Sequence, residues 1–190
     1  VRVAAVQMDV ALMKVEQNLD AIEQALEEAA GAGARLVVFP ECAVTGYCFE
    51  SLEEALPLGE SIPGPSSDRM GAACARLDVH AVFGLLERVE DRLYNACVLV
   101  GPAGLVSSYR KIHLPFLGID RFVTPGDRPF AVHEAAGLKI GMNICYDGSF
   151  PESSRVMALD GADLVVLPTN WPPAWSSTQL DARMFPYTVP

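Results

Sequence analysis

The sequence contains little positive charge and no long apolar run. Its 14 lysines and arginines are outnumbered by 24 aspartates and glutamates, which leaves a formal net charge of −10. Nucleic-acid binding depends on basic side chains that displace phosphate counterions, yet the largest basic cluster is the pair Arg110–Lys111. No stretch approaches the roughly 18 consecutive apolar residues that a membrane-spanning helix needs. We therefore expect neither a nucleic-acid partner nor a membrane partner.

Patterns typical of secreted proteins, zinc proteins and serine hydrolases are also missing. The five cysteines are an odd number without a CxxC pair, which argues against a disulfide framework or a zinc site. There is no HExxH or GxSxG motif, and the scattered His80, His113 and His133 are expected to be hydrogen-bonded structural residues. The opening VRVAAVQMDV lacks the basic region and long hydrophobic run of a signal peptide. These absences predict free thiols, most of them small core residues, no bound metal and a cytoplasmic location.

Short apolar strands alternate with amphipathic helices along the chain. Apolar residues at spacings of three and four predict helices around Leu19–Ala29 and Met70–Leu77, and Pro151 suits the first turn of a third helix over 151–161. Strands are predicted over 2–8, 35–40, 80–86, 94–100, 105–109, 138–145 and 163–168. The two-sided apolar character of these strands indicates a layered α/β fold. The length of 190 residues suits a single domain, 1–190.

Three chemically useful side chains stand at the ends of predicted strands. Glu41 follows LVVFP, Lys111 follows LVSSYR, and Cys145 ends KIGMNIC. Ligands gather at the carboxyl ends of strands in open α/β sheets. A thiol can attack a carbonyl carbon, a carboxylate can move its proton, and an ammonium can offset the negative charge that develops. Taken singly, each residue could equally be a buried thiol, a turn cap or a solvated surface charge.

Four longer blocks provide a more specific signal than these single residues. They are AAVQMDV (4–10), VVFPECAVTGY (37–47), YNACVLVGPAGLVSSYRKIHLP (94–115) and GMNICYDGSFPESSRVMALDGADLVVLPTNW (141–171). In this order they resemble the nitrilase superfamily of carbon–nitrogen hydrolases. The second block is similar to the strand that ends in the general-base glutamate, the third to the hairpin that delivers the catalytic lysine, and the fourth to the nucleophile strand and its elbow.

The resemblance implies an amidase-like enzyme with a four-layer α/β/β/α sandwich. Glu41 would take the proton of Cys145, which would attack the carbon of a small non-peptide amide, while Lys111 and the backbone N–H of Tyr146 would hold the oxyanion. Ammonia or an amine would leave, and Glu41 would activate the water that cleaves the thioester. Such help is needed because a free cysteine has a pKa of about 8.5. The resemblance implies no cofactor, and since such subunits typically pair, it implies a homodimer or a higher homo-oligomer.

Several positions bear on the substrate. The elbow reads CYDGSFPE, with Ser149 where an arginine often stands in relatives, and this favours a neutral amide over an acidic one. The CWE-type elbow of nitrilases is absent, so nitrile hydrolysis is less favoured, and hydrolysis of an N-carbamoyl compound is a further alternative. Tyr47, Asn170, Trp171 and Trp175 are candidate residues of the substrate pocket, although the tryptophans could equally be ordinary core residues.

The loop after Lys111, KIHLPFLGIDRF, contains Asp120 as its nearest acid. Many members of the superfamily have a second glutamate in this loop, which orients the lysine and the substrate. Asp120 would fill that role with one methylene less of reach, and it would keep a buried Lys111 charged, since an unpaired buried ammonium tends to lose its proton. The alternative is that Asp120 pairs with Arg121 or caps a turn in an exposed loop.

Relatives usually continue beyond the residues similar to ARMFPYTVP (182–190), with further strands and a tail used in dimerisation. The C-terminal part of the sandwich is therefore expected to be truncated, either because the sequence is a fragment or because the protein lacks part of one sheet. Truncation favours a rival hypothesis, a non-catalytic binding protein that retains the fold. The intact Glu41, Lys111 and Cys145 favour an enzyme.

Overall fold

The computed structural model describes residues 1–170 of the chain. This part contains the α-helices α1 (Val15–Gly31), α2 (Leu52–Ala55), α3 (Pro65–Leu77) and α4 (Pro151–Leu159). Its strands are β1 (Val3–Ala5), β2 (Leu36–Val38), β3 (His80–Val89), β4 (Arg92–Gly101), β5 (Gly104–Arg110), β6 (Val132–Ala135), β7 (Leu138–Met142) and β8 (Leu164–Val166). Short 3₁₀ turns occupy Leu56–Leu58, Gly118–Arg121 and Cys145–Ser149.

The strands form two sheets. The first has the order β1-β2-β3-β4-β5, in which β1, β2 and β3 are parallel and the β3–β4 and β4–β5 pairs are antiparallel. The second has the order β6-β7-β8, with β6 antiparallel and β8 parallel to the central β7. Both sheets are therefore mixed, and the parallel pairs β1–β2, β2–β3 and β7–β8 are each connected through a helix.

Alternating side chains of the first sheet serve two separate cores. One core lies between this sheet and the helices α1 and α3, and it includes Ile22, Leu26, Val37, Met70, Phe83 and Val98. The other lies between the two sheets, and it includes Leu36, Val82, Leu99, Ile140, Met142 and Val166. Helix α4 covers the far face of the second sheet, where a side chain added at Gly141 would collide with the buried Met157. The layers are thus helix, sheet, sheet and helix, which confirms the predicted α/β/β/α sandwich.

Several predicted elements need correction. The first strand is shorter than 2–8, and it is an edge strand with Val3 40% exposed instead of a buried one, because within residues 1–170 only β2 pairs with it. The strand predicted over 138–145 ends at Met142, and Cys145 has a left-handed φ of +46° that is incompatible with a strand. Strand β6 was not predicted, because the polar His133 and Glu134 interrupt its apolar pattern.

Candidate active site

Glu41 lies in a turn that follows β2 and packs closely on β3. The amide of Gly84 donates to the carbonyl of Pro40 (3.1 Å), and the carbonyl of Gly84 accepts from the amide of Val44 (3.2 Å). A Cβ at Gly84 would lie 2.7 Å from Glu41 Cα, so a glycine is needed for this approach. The next residue, Cys42, has a φ of +49°, which turns the chain sharply. These contacts place the Glu41 carboxylate inside the protein, fully inaccessible to solvent.

Lys111 continues from β5 and stays bound to its neighbouring segments through its backbone. Its amide donates to the carbonyl of Asn95 on β4 (2.8 Å), and its carbonyl accepts from the amide of Gly126 (2.8 Å). The side chain is fully buried. An ammonium in such a position requires anionic partners, because a buried unpaired charge is costly.

The ammonium of Lys111 lies between two carboxylates. Its Nζ is 2.6 Å from Glu41 Oε1 and 2.6 Å from Asp120 Oδ2. The side-chain amide of Asn95 donates to both acids, at 2.8 Å to Glu41 Oε1 and 2.9 Å to Asp120 Oδ1. The hydroxyl of Tyr47 donates to Asp120 Oδ2 (2.8 Å), and the backbone amide of Asn170 donates to Glu41 Oε2 (3.1 Å). We call these six residues the acid–lysine cluster.

Burial and charge act in opposite directions on the groups of this cluster. Burial raises the pKa of Glu41, and Lys111 only partly opposes that effect. Burial alone would lower the pKa of Lys111, but the charges of Glu41 and Asp120 outweigh it and raise that pKa. Lys111 is therefore an ammonium at neutral pH, while Glu41 is a stronger base than a carboxylate in water.

Cys145 begins the 3₁₀ turn Cys145–Ser149, which we call the elbow. Its left-handed φ of +46° is uncommon for a residue with a side chain, and such backbone strain concentrates at functional sites. Its amide donates to the carbonyl of Pro168 (3.0 Å), beyond the end of β8. Burial and then the carboxylate of Glu41 raise the pKa of the thiol, whereas Lys111 lowers it. The thiol thus lies within range of both charges, and its resting form is protonated.

Residues 2–184 match the family model described as Carbon-nitrogen hydrolase. The chain belongs to the carbon–nitrogen hydrolase family. A protein named nitrilase from Pyrococcus abyssi is 41% identical over 171 residues, which cover 90% of this chain and 65% of that protein. An omega-amidase of Danio rerio is 33% identical over 193 residues, which cover 94% of this chain and 68% of the relative.

Solved structures of the family have the same fold. A carbon–nitrogen hydrolase from Helicobacter pylori superposes with a TM-score of 0.82 at 25% sequence identity, over 95% of this chain and 64% of that one. This chain therefore spans about two thirds of the length of the relatives that it matches.

The structure of this family member brings most of the predicted site residues together. Asp120 is 2% exposed in the turn Gly118–Arg121 and contacts Lys111, so it does not lie in an exposed loop. Tyr146 is the second residue of the elbow and directly follows Cys145. Tyr47 and Asn170 contact the acids directly. Trp171 and Trp175 lie outside the described residues.

An open cleft of about 890 Å³ adjoins the acid–lysine cluster. Tyr47 and Asn170 belong to both, since they line the cleft and contact the acids. Among the described residues, neither Cys145 nor Lys111 lines this cleft. It therefore adjoins the charged groups through the hydroxyl of Tyr47 and the backbone amide of Asn170, which contact them.

Asn95 is a site residue that the sequence analysis did not single out. It stands in the apolar strand β4, 1% exposed, and its side chain bridges two acids. The signal was present, because a polar residue inside an apolar strand requires buried hydrogen-bond partners. Its partners could not be identified without the register of β4 against β5, which places Asn95 beside Lys111.

The cysteines and histidines fit most of the expectations. Cys42, Cys74 and Cys97 are buried, but Cys48 is exposed, so the expectation that it is a core thiol is wrong. Burial raises the pKa of Cys74 to about 12, and it also raises the pKa values of Cys42 and Cys97.

Two of the three histidines have side-chain partners. His113 Nδ1 lies 2.7 Å from Asp147, and His133 Nε2 lies 2.9 Å from Ser107 Oγ. Within residues 1–170, no group of three or more potential ligands is arranged to hold a metal ion. The same residues include no helix long and apolar enough to cross a membrane.

Proposed function

We propose that this carbon–nitrogen hydrolase cleaves the C–N bond of a small neutral amide through a thioester on Cys145. The observation that supports the proposal most is the buried contact of Lys111 with Glu41 and Asp120, within range of the thiol. Stability of the fold does not explain why two carboxylates and one ammonium are buried here, because buried ion pairs often contribute little net stability. Pre-arranged charges beside a nucleophile are typical of an active site.

The raised pKa values suggest how the first step proceeds. Because the pKa of Cys145 is raised, the thiol keeps its proton until the substrate arrives. The pKa of Glu41 is raised as well, so its carboxylate can accept that proton as the sulfur attacks the carbonyl carbon. Lys111 and the N–H of Tyr146 would stabilise the negative oxygen that forms.

In the remaining steps Glu41 gives up the proton it has accepted and then activates water. When the oxyanion collapses, the C–N bond breaks, and the leaving nitrogen takes the proton from Glu41 and departs as ammonia or an amine. Glu41 then accepts a proton from water, whose oxygen attacks the thioester. Breaking of the C–S bond releases the carboxylic acid and returns the proton to the sulfur. The amide preference rests on the elbow sequence, and an N-carbamoyl compound or a nitrile is the alternative substrate.

A homodimer or a higher homo-oligomer, which the family resemblance implies, is also part of the proposal, and so is a cytoplasmic location. Exposed apolar side chains on α4 support contact between subunits, since Leu159 is 81% and Val156 41% exposed. Light scattering on the purified protein measures the oligomeric state, and a monomer at micromolar concentration would contradict the dimer.

Hydroxylamine trapping tests the thioester. A thioester transfers its acyl group to hydroxylamine, so an amide that is turned over should yield a hydroxamic acid as well as ammonia. We expect the hydroxamic acid from the parent and from Cys48→Ser, whose thiol is exposed, but not from Cys145→Ala. Ammonia release without any hydroxamic acid would contradict the thioester. No ammonia from a panel of amides, nitriles and carbamoyl compounds would favour the non-catalytic binding protein.

A further inference from the structure

Asp147 is a buried carboxylate that the proposed chemistry does not use. It is fully inaccessible to solvent. Its Oδ2 accepts hydrogen bonds from the hydroxyl of Tyr109 (2.8 Å) and the amide of Ile144 (3.1 Å). Its Oδ1 accepts from the amide of His113 (2.9 Å) and lies 2.7 Å from His113 Nδ1. We call these four residues the Asp147 network.

The Asp147 network joins the two segments that supply the ammonium and the thiol. Tyr109 and His113 each stand two residues from Lys111, on either side of it. Ile144 directly precedes Cys145, and Asp147 follows it by two residues. The Asp147 carboxylate therefore hydrogen-bonds to Tyr109 and His113 on the two sides of Lys111. It also hydrogen-bonds to Ile144, so that the residues on both sides of Cys145 belong to the network.

Aromatic packing reinforces the same connection. The ring of His113 stacks on Phe150 at the end of the elbow, with centroids 3.9 Å apart and planes 15° from parallel. Phe150 in turn meets the ring of Tyr146 edge-on, at 5.3 Å. In the segment after Lys111, His113 thus contacts Asp147 through its backbone amide and its imidazole nitrogen, and Phe150 through the face of its ring.

Asp147 also sets the local conformation at Cys145. Its carboxylate accepts from the amide of Ile144, and its own amide donates to the carbonyl of Ile144 (3.0 Å). These two hydrogen bonds close a tight turn across Cys145, whose φ is +46°. A residue with a Cβ stays in this sparsely populated region only when its surroundings hold it there.

We propose that Asp147 is a positioning residue that fixes the Cys145 thiol and the Tyr146 N–H relative to the Lys111 ammonium. This inference rests on the proposed function, because it assigns Asp147 to the geometry of that reaction. Asp147 itself contacts neither the substrate nor the acid–lysine cluster in this account. Its effect is exerted through Ile144 on one side and through Tyr109 and His113 on the other.

Asp147→Asn is the direct test, because it keeps the shape and replaces one acceptor oxygen by a donor. Asp163→Asn is a matched control at the other end of β7, where Asp163 Oδ2 accepts from the amide of Lys139 (2.8 Å). We would measure kcat and KM for a neutral amide, and the rate at which iodoacetamide alkylates Cys145 in a Cys48→Ser background. Thermal unfolding would report stability separately.

A positioning role predicts a loss in kcat and in alkylation rate without a matching change in KM. A misplacement of about 1 Å can cost about 100-fold in rate, so we expect a loss of at least about tenfold in kcat for Asp147→Asn. Asp163→Asn should stay within about twofold of the parent, because the geometry at Cys145 is unchanged. A lowered melting temperature with kcat and alkylation rate both near the parent's would overturn the proposal.

Milder variants keep the test decisive if Asp147→Asn does not fold. Tyr109→Phe removes one donor to Oδ2, and His113→Asn retains a side-chain donor that His113→Ala loses. The proposal predicts slower alkylation in Tyr109→Phe and in His113→Ala, with partial recovery in His113→Asn. Equal rates in all three variants and the parent would contradict it. Alkylation needs no turnover, so these rates are informative even if the parent releases no ammonia, a result that would count against the proposed function alone.

Discussion

The ammonium of Lys111 lies 2.6 Å from Asp120 Oδ2, and both side chains are inaccessible to solvent. The aspartate is held in this position by the hydroxyl of Tyr47 and the amide of Asn95, which donate to its two oxygens. Its charge helps to raise the pKa of Lys111. We therefore propose that Asp120 keeps Lys111 charged and directs its ammonium.

Asp120→Asn should lower kcat by at least about tenfold. The change would remove part of the charge stabilisation and alignment of Lys111, and an oxyanion donor typically contributes more than about tenfold to kcat. KM should change little. Since Glu41 stays paired with Lys111, the loss in unfolding free energy should stay below about 3 kcal/mol, the lower bound for breaking a buried pair outright. Steady-state kinetics and denaturant unfolding measure the two effects.

Asp127→Asn is the matched control for Asp120→Asn. Asp127 pairs with Arg110, the residue before Lys111, at 2.9 Å, but its side chain is 59% exposed. Arg110 also keeps a buried partner in Glu87. The control should retain activity within about twofold, because exposed ion pairs contribute little. Equal activity in both variants would contradict a role for Asp120 in catalysis.

Asn95→Asp should shift the acid side of the pH–activity profile to higher pH. The change replaces a neutral donor by a third carboxylate beside Glu41 and Asp120, and a like charge raises the pKa of a neighbouring acid. Glu41 would then lose its basic form at a higher pH. Asn18→Asp, which alters a buried asparagine bonded to Ala11 and Val44, is the control. If Asn95→Asp has the same profile as the parent, Asn95 does not act on Glu41.

The parent protein should lose activity as the pH falls through the pKa of Glu41, which lies above the ordinary glutamate value of 4.5. Burial raises the pKa of Glu41, and the base must be ionised to accept the thiol proton. On the alkaline side, the raised pKa of Lys111 keeps the ammonium charged. We therefore expect kcat/KM to reach a plateau that extends beyond about pH 8.5, the ordinary pKa of a free cysteine. A profile that rises only near that pH would indicate a thiolate formed without Glu41.

Neutral amides should be better substrates than analogues with a terminal carboxylate. The acid–lysine cluster combines two carboxylates with a single ammonium, and the protein has a net charge of −10. Ser149, where an arginine often stands in relatives, is exposed on the elbow. Because electrostatic steering alters association by about tenfold or more, we expect a preference of at least about tenfold in kcat/KM at low salt. A preference for the acidic analogue would reveal a basic anchor.

Sequence patterns predicted the layered fold, and together with the family resemblance they singled out Glu41, Lys111 and Cys145 as candidates, but they did not predict how these residues are held. Apolar periodicity is local, so it identified α1 and α3, whereas the exposure of β1 depends on its position in the sheet. The left-handed φ of Cys145 was not expected, because the residues before it read as a continuous strand.

The supporting residues Asn95 and Asp147 could not be assigned from the sequence for a similar reason. Their partners come from other segments, since Asn95 bonds acids at positions 41 and 120. The partners of Asp147 include Tyr109 and His113. Only the register of the strands and the turn at the elbow bring those groups together.

Ammonia release by Cys145→Ala and by Cys48→Ser, measured side by side on one neutral amide, tests the central claim most directly. Cys48 is the exposed thiol, whereas Cys145 is the partly buried one at the elbow. If Cys145 is the nucleophile, Cys145→Ala should retain less than about one thousandth of the parent activity, in line with the loss of a nucleophile elsewhere. Cys48→Ser should stay within about twofold of the parent. Ammonia release by folded Cys145→Ala at a rate near the parent's would contradict the account.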